Sequence, residues 1–529
     1  MSDQTRKSMN LGRRDVLGGV AGGIASAMFG PAMAAPKEGA GRPNMILFFM
    51  DECRADALGS YGNPLCKTPN LDAFARQGTR FADCHVQHPV CGASRCSLLT
   101  GLPVSNTGHR SLYYFLRRDE PNLFRYLKDG GYDTFWLGKN DALAPESFPL
   151  SLTEWHGEVN TWARAGGRGP AFDLGKPNLM LINAKVDPKA TSDYLLIQQA
   201  IKLLERGERD KPFCLFIALN QPHPPYLAPQ GFHDLYKPEA LPPLAPPGLG
   251  KKPMFHDAVR KAYHLDQAGD ADFRQVRATY YGQVSYADWL FGQLMEAVER
   301  TGRAKDTMVI ASSDHGDYAG DYGMVEKWPG GLESNLTHVP LMIRMPGGAQ
   351  GHVVSEMVEL YDVMATMLEA GRVQAKHTHF AQSLMPQIMG SAGDPTRAAY
   401  TEAGYDTFEP QAFEPPMEGP ANLYTAKHDL QNEQPATVRR AAAVTTSAYK
   451  FVARPGGQYE LYDRKRDPLE LRNLIDDPKM KQVREAMADN LMAHYISTTG
   501  VPPIARDGRD TPEFYIMPKL KKDGIANSR

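Results

Sequence analysis

The sequence predicts an α/β chain: a doubly wound sheet that carries the chemistry, followed by a smaller C-terminal α+β subdomain. Three observations lead there. Continuous apolar runs recur, each of the length and type expected of a strand buried on both faces of a parallel sheet. Helical stretches fall between them. Polar clusters follow the runs directly, at the carboxyl ends of strands, where open α/β sheets place ligands.

The first run, Asn44 to Met50, ends in Asp51-Glu52-Cys53-Arg54. A Gly/Tyr/Pro turn region from Gly59 to Pro69 leads to a short helix over Asn70–Gln77, and then to a helix start bearing Cys91. Pro121 to Asp129 reads as helix, with proline early and Gly130-Gly131 as the stop. Thr134 to Gly138 is the next strand and ends in Lys139-Asn140-Asp141. Residues 145–190, rich in Gly and Pro, read as an irregular surface insertion. A helix near Tyr194 to Glu205 leads into a strand from Pro212 to Leu219, which ends at Gln221-Pro222-His223-Pro224. After a Pro-rich loop, a long helix over Phe273–Arg300 places Val276, Tyr280, Val284, Ala287, Leu290, Leu294 and Val298 on one apolar stripe. Thr307 to Ala311 is another buried-type strand, ending in Ser312-Ser313-Asp314-His315-Gly316-Asp317. Pro340 to Met345 is strand-like and Leu360 to Leu368 helical. Beyond Arg397 the pattern changes to a strand pair within Ala441–Val452, a Glu460–Asp463 segment and a helix near Lys479 to His494. The expected boundaries are 1–34 for a leader, 42–395 for the main domain and 396–529 for the C-terminal subdomain and tail.

The leader is legible. Arg13-Arg14 precedes a weakly apolar Gly/Ala run from Val16 to Phe29, and Ala32-Met33-Ala34 offers a small-x-small cleavage site. This reads as a twin-arginine signal peptide, which predicts use of the twin-arginine translocase and a periplasmic or secreted bacterial protein. The run holds too much glycine for a membrane anchor, and no later segment reads as membrane-spanning. With 529 residues and a net charge of −2 of interspersed sign, the chain can bury a large core and carries no nucleic-acid signature. Its six cysteines lack zinc-site spacing; five fall within 53–96, which leaves one disulfide there open.

The densest stretch is Cys91-Gly92-Ala93-Ser94-Arg95-Cys96-Ser97-Leu98-Leu99-Thr100-Gly101. A thiol at a helix N-terminus meets free N–H groups and the positive end of the helix dipole. If exposed, it would be acidic and reactive. Strand ends and loops also deliver Asp51, Glu52, Lys139, His223, Asp314 and His315, with Lys327 shortly after. Each alone has a bland explanation as a cap, a satisfied core residue or a solvated charge. Together they place carboxylates and cations at one sheet edge, as metal-assisted attack on an anionic ester requires.

These residues resemble the type I, formylglycine-dependent sulfatases. Their signature is Cys-x-Pro/Ala-x-Arg with Thr-Gly downstream, and Ala93 stands where proline is commonest. Asp51 through Gly62 resembles the family's first metal motif. Gly131-Tyr132-x-Thr134 through Lys139 resembles its Gly-Tyr-x-Thr…Gly-Lys segment, and Ser313 through Gly323 with Lys327 its second metal motif. The resemblance implies an alkaline-phosphatase-like fold with a mixed sheet. It implies that Asp51, Glu52, Asp314, His315 and residue 91, converted from cysteine to formylglycine by a maturation enzyme, hold one divalent cation, Ca²⁺ or Mg²⁺. It further implies that Arg95 holds the formylglycine hydrate, Lys139 and Lys327 bind sulfate oxygens, and His223 protonates the departing alcohol, with His315 open as a metal ligand or a contact to a sulfate oxygen. One hydroxyl of the hydrate attacks sulfur; the second is deprotonated and collapses to aldehyde, expelling sulfate. The family's usual Lys-x-His is Lys139-Asn140-Asp141 here, so Asp141, or a histidine from another loop such as His109, is the expected base.

The implied activity is hydrolysis of sulfate monoesters on a small molecule or glycan. A phosphonate monoester or phosphodiester hydrolase of the same superfamily is the alternative, and a silent glycan-binding homologue a third reading. Arg110, Arg117 and Arg118 are open as contacts to a polyanionic glycan or as solvated charges.

Overall fold

The computed structural model describes residues 41–157, 175–207, 210–249, 251–414 and 421–501. The expected leader and residues 158–174 of the expected insertion lie outside the described residues. Eight strands build the main sheet: β1 (Asn44–Asp51), β2 (Thr79–His85), β3 (Asp133–Gly138), β4 (Glu154–His156), β5 (Phe213–Pro222), β6 (Thr307–Ser313), β7 (His338–Arg344) and β8 (His352–Glu359). Their order is β4–β3–β5–β1–β6–β7–β2–β8. Only β7 runs against its neighbours, β6 and β2; every other pairing is parallel. The sheet is therefore mixed, as the family resemblance implies.

β1 sits between β5 and β6 and is buried along its whole length. Its side chains alternate between two cores, as the two-residue period of a strand requires. Ile46, Phe48 and Met50 face the layer built by the long helix Asp270–Arg300 and the helix Ser192–Leu204. Met45, Leu47 and Phe49 face the helices Cys91–Thr100, Leu123–Asp129 and Asp362–Ala370. The ring of Phe48 packs edge-on against Phe291 of the long helix, with centroids 5.0 Å apart. Truncating such a fully buried ring to alanine costs about 3–5 kcal/mol. The long helix begins three residues before the expected Phe273, because Gly269 N–H is capped by the Asp272 carboxylate.

A second, four-stranded antiparallel sheet follows, with β9 (Ala399–Ala403), β10 (Ala441–Thr445), β11 (Tyr449–Ala453) and β12 (Glu460–Asp463) in the order β12–β11–β10–β9. Val444, Phe451 and Leu461 pack against Met487 and Leu491 of the helix Lys481–Thr498.

Several features depart from the expectations. β2, β8 and β9 stand where the sequence predicts no strand, and β4 falls inside the segment expected to be irregular. β2 reads Thr-Arg-Phe-Ala-Asp-Cys-His, too polar for a buried-strand signal, because tertiary partners neutralise it. Asp83 takes two hydrogen bonds from Arg464, at 2.8 and 2.9 Å, and pairs with His85 at 2.9 Å. Burial would raise the Asp83 carboxyl, but His85 and Arg464 outweigh it and hold it low. All six cysteines are free and buried, so the disulfide left open within 53–96 does not form.

Candidate active site

Parallel strands bring the functional side chains to one edge because their carboxyl ends coincide. β1 delivers Asp51 and Glu52, β3 delivers Lys139, β5 delivers His223, and β6 delivers Asp314 and His315. The helix Cys91–Thr100 starts at this edge, and all ten of its residues are buried. Lys327 arrives from the loop between β6 and β7. Glu52 sits at φ 64°, in the left-handed region that costs a non-glycine residue about 1–3 kcal/mol. Its backbone is fixed there: Glu52 N–H donates to Asp314 Oδ1 at 3.1 Å, and Tyr280 Oη donates to Glu52 O at 2.7 Å.

Cys91 lies at the centre. Its Sγ is 3.1 Å from His315 Nε2, 3.5 Å from Asp51 Oδ1 and 3.7 Å from Lys139 Nζ. Arg95, one helical turn on, reaches back to Asp314 Oδ2 and Asp51 Oδ2 at 2.8 and 3.1 Å. Lys139 Nζ donates to Asp51 Oδ2 at 2.5 Å and meets Asp141 at 3.1 Å. Lys327 Nζ contacts Glu52 Oε1 and stands 2.8 Å from His223 Nε2. His223 Nδ1 is bonded to Pro224 O, which leaves Nε2 facing the site, 3.1 Å from Glu52 Oε1.

Charge is dense and water-poor here. Burial opposes ionisation of Asp51, yet Lys139 and Arg95 together hold its carboxyl well below the usual range. Glu52 goes the other way: burial raises it, and the nearby Asp317 and Glu326 carboxylates add to the rise against the pull of Lys327. Burial also pushes the Cys91 thiol well up, and Asp51 adds to this despite both lysines. An exposed, acidic thiol is thus not what the fold provides. The free cysteine is desolvated and poorly nucleophilic.

The donor set fits a cation. Ligand atoms of Asp51, Cys91, Asp314 and His315 lie within 4.8 Å of one another, as do those of Asp51, Glu52, Cys91 and His223. Glu52 and Asp317 are buried carboxyls that meet each other, and among the described residues no other group hydrogen-bonds Glu52 Oε2 or Asp317 Oδ2. A positive ion beside them would offset the cost of burying these carboxylate oxygens.

The structure thus gathers Asp51, Glu52, Cys91, Arg95, Lys139, His223, Asp314, His315 and Lys327 around one centre. Asp141 joins it through Lys139. His109 does not join it: Nδ1 is 2.7 Å from Tyr114 O and Nε2 is 2.8 Å from Glu120, so it ties its own loop together. Arg110 is buried and paired with Glu402 and Glu409, which removes it from the open contacts to a polyanion. Sequence reasoning missed Glu326 and Lys427. Lys427 Nζ lies 2.7 Å from Glu326 Oε1, and that carboxylate neighbours Lys327. The adjacency of Glu326 to Lys327 was a signal; the approach of Lys427, a hundred residues on, carried none.

Comparison with known proteins agrees with this geometry. The Sulfatase family profile matches residues 43–373, and the profile described as N-sulphoglucosamine sulphohydrolase, C-terminal, matches residues 422–496. An arylsulfatase of Clostridium perfringens is 27% identical over 63% of this chain and 75% of its own length. The human iduronate 2-sulfatase is 28% identical over 66% of this chain and 69% of its own. Among solved structures, a phosphonate monoester hydrolase of Agrobacterium radiobacter superposes with a TM-score of 0.71 at 22% identity, covering 92% of this chain and 100% of that one. A protein solved with its substrate D-glucosamine-2-N,6-O-disulfate superposes with a TM-score of 0.69 at 20% identity, covering 88% and 99%. These two likenesses establish the alkaline-phosphatase-like fold. With all eight strands of its main sheet and every strand-end residue of the site inside the matched region, the chain belongs to the sulfatase family.

Proposed function

We propose that this sulfuric ester hydrolase removes sulfate from a monoester on a saccharide, using residue 91 as nucleophile after its conversion from cysteine to formylglycine. The observation that carries the reading is the placement of two lysines, the half-buried Lys139 and the buried Lys327, on the carboxylates that surround Cys91. Such a pair offers fixed positive charge to the oxygens of a tetrahedral anion at residue 91. The sugar is supported by the relatives: besides the iduronate 2-sulfatase, an N-acetylglucosamine-6-O-sulfatase of Bacteroides thetaiotaomicron is 22% identical over 83% of the chain.

The roles follow from the contacts. Asp51, Glu52, Asp314, His315 and the modified residue 91 would hold a divalent cation, and their oxygen-rich set favours Ca²⁺ or Mg²⁺. That cation supplies Lewis-acid charge stabilisation at the nucleophile. The formylglycine hydrate supplies one hydroxyl for attack on sulfur and a second whose deprotonation releases sulfate. Arg95, locked between Asp51 and Asp314, orients residue 91 and offsets its charge. Lys139 and Lys327 bind the sulfate oxygens from two sides. His223, with Nδ1 committed to Pro224, presents Nε2 to the leaving oxygen. Burial, then Lys327 and Lys139, hold this imidazole neutral in the free protein. The anionic ester offsets those ammonium charges and lets Nε2 carry the proton that the alcohol takes. Asp141 serves as base by relay: it accepts a proton from Lys139 Nζ as that nitrogen takes the proton of the second hydroxyl, so Lys139 remains an ammonium. No described helix is long and apolar enough to cross a membrane. The paired arginines support export through the twin-arginine route after maturation in the cytoplasm.

Mass spectrometry of the natively expressed, exported protein tests the nucleophile. Conversion of the Cys91 thiol to an aldehyde or its hydrate supports the reading, and an unmodified thiol in active protein sinks it. Turnover of 4-nitrophenyl sulfate and of a phenylphosphonate monoester then tests the ester class. Preference for the phosphonate would move the assignment to a phosphonate hydrolase. Inert but tight glycan binding would move it to a silent homologue.

A further inference from the structure

We propose that Lys427, delivered by the helix Thr425–Glu433, is a positioning residue for Lys327 and acts through Glu326, so that the C-terminal part of the chain sets the charge available to the anionic substrate. The inference rests on the role given above to Lys327.

One oxygen carries the link. Glu326 Oε1 is 2.7 Å from Lys427 Nζ and 3.1 Å from Lys327 Nζ, and all three side chains are at most 3% exposed. Glu326 is held rigidly. Its N–H donates to Tyr226 Oη at 2.8 Å, its carbonyl accepts from Tyr318 N–H at 3.0 Å, and Tyr226 Oη donates to Asp317 Oδ1 at 2.6 Å. The residue sits at φ 61°, which a non-glycine residue adopts only where its surroundings over-determine it. Lys427 is steadied by a second acid, Glu414, at 3.8 Å, and Glu414 meets His428 at 3.0 Å.

The physical consequence is a shared counter-ion. Lys327 already faces Glu52. If Glu326 served Lys327 alone, its full charge would add to the contact with Glu52 and draw the ammonium away from the anion. With Lys427 on the same oxygen, the charge of Glu326 is divided, and Lys327 keeps net positive character toward the side of His223 and Cys91. At the short distances and low dielectric of this site, such a change in charge balance is large.

The test is a double-mutant cycle on full-length matured protein, reading kcat and the inhibition constant of inorganic sulfate. Lys427→Met is expected to lower kcat about tenfold or more and to weaken sulfate inhibition by a similar factor, while Lys427→Arg keeps both. The Lys427→Met/Glu326→Gln double variant is expected to recover most of the loss, since removing the acid with its partner leaves Lys327 free again. A merely structural role predicts no such recovery. Unchanged kcat and sulfate inhibition in Lys427→Met overturn the proposal, and so does a double variant whose loss equals the sum of the two single losses. If Lys427→Met does not fold, the double variant decides alone: near-native kcat supports the link, and a loss like that of Lys327→Ala overturns it. Lys327→Ala separates the two readings. If it loses no activity, the role of Lys327 falls; if it does and Lys427→Met does not, only the link falls.

Discussion

Asp141 meets Lys139, not Cys91. Its Oδ2 is 3.1 Å from Lys139 Nζ, and that ammonium in turn stands 3.7 Å from Cys91 Sγ. Burial works against the charge of Lys139, but Asp141 and Asp51 outweigh it and keep the ammonium protonated well above its usual range. Asp141 therefore reaches the nucleophile by way of Lys139. Asp141→Asn is expected to lower kcat about tenfold and Lys139→Ala about a hundredfold or more, with the double variant no slower than Lys139→Ala alone. Steady-state kinetics of the four proteins check this. Additive losses would mean that Asp141 acts on the nucleophile by a separate route.

Cys91→Ser separates the proposed nucleophile from a generic hydroxyl. A serine ester of sulfate has no second hydroxyl on the same carbon and so no internal exit. The variant is expected to release at most one equivalent of alcohol per chain and then stop, with one sulfuryl group added to its mass. Sustained turnover by Cys91→Ser would exclude the formylglycine route.

Acid stability follows from buried and half-buried histidines away from the site. Burial lowers His85, His377 and His494 to about 4 each. An unfolded histidine titrates near 6.5, so between these values the unfolded chain binds more protons than the folded one. Their stabilising effect is complete above pH 6.5 and is lost as pH falls toward 4. One such shift is worth up to about 3 kcal/mol. His494 stacks on Tyr400 with centroids 3.7 Å apart, so His494→Phe keeps the stack and removes the titration. Denaturant unfolding at pH 7.5, 6 and 5 should show a shallower loss of stability for His494→Phe than for the native chain. Parallel pH curves would mean that His494 is not held neutral.

Much of this arrangement was legible in the sequence, because its main strands are buried on both faces and announce themselves as apolar runs. β1, β3, β5 and β6 fall within a few residues of their expected places, and each is followed at once by the polar residues that meet at Cys91. What stayed hidden was decided by distant partners. β2 reads as polar because Arg464, from the far end of the chain, neutralises Asp83. The cysteine's surroundings were misjudged for a related reason. A helix N-terminus favours a thiolate, but here the whole helix is buried, and desolvation together with Asp51 prevails.

The carboxylates at the carboxyl end of β1 lead to a prediction about metal that needs no turnover. Asp51, Glu52 and Asp314 share a buried site with Arg95, Lys139 and Lys327, and among the described residues the fixed cations do not reach Glu52 Oε2 or Asp317 Oδ2, which have only each other's carboxyl. A divalent ion bound among Asp51, Glu52, Asp314 and His315 stabilises the folded state alone, because the unfolded chain does not hold these ligands together. At a concentration of about a hundred times Kd, the gain is about 2.7 kcal/mol. Chelator-treated, dialysed protein should therefore melt several degrees lower than protein with Ca²⁺ or Mg²⁺ restored, and the ion giving the larger shift at equal concentration is the better fit. Asp314→Asn removes one ligand charge and weakens the acceptor of Arg95, and should abolish most of that shift. A melting temperature indifferent to both ions in the native chain would mean that the lysines and Arg95 alone compensate these acids, and the cation would have to be withdrawn from the proposed mechanism.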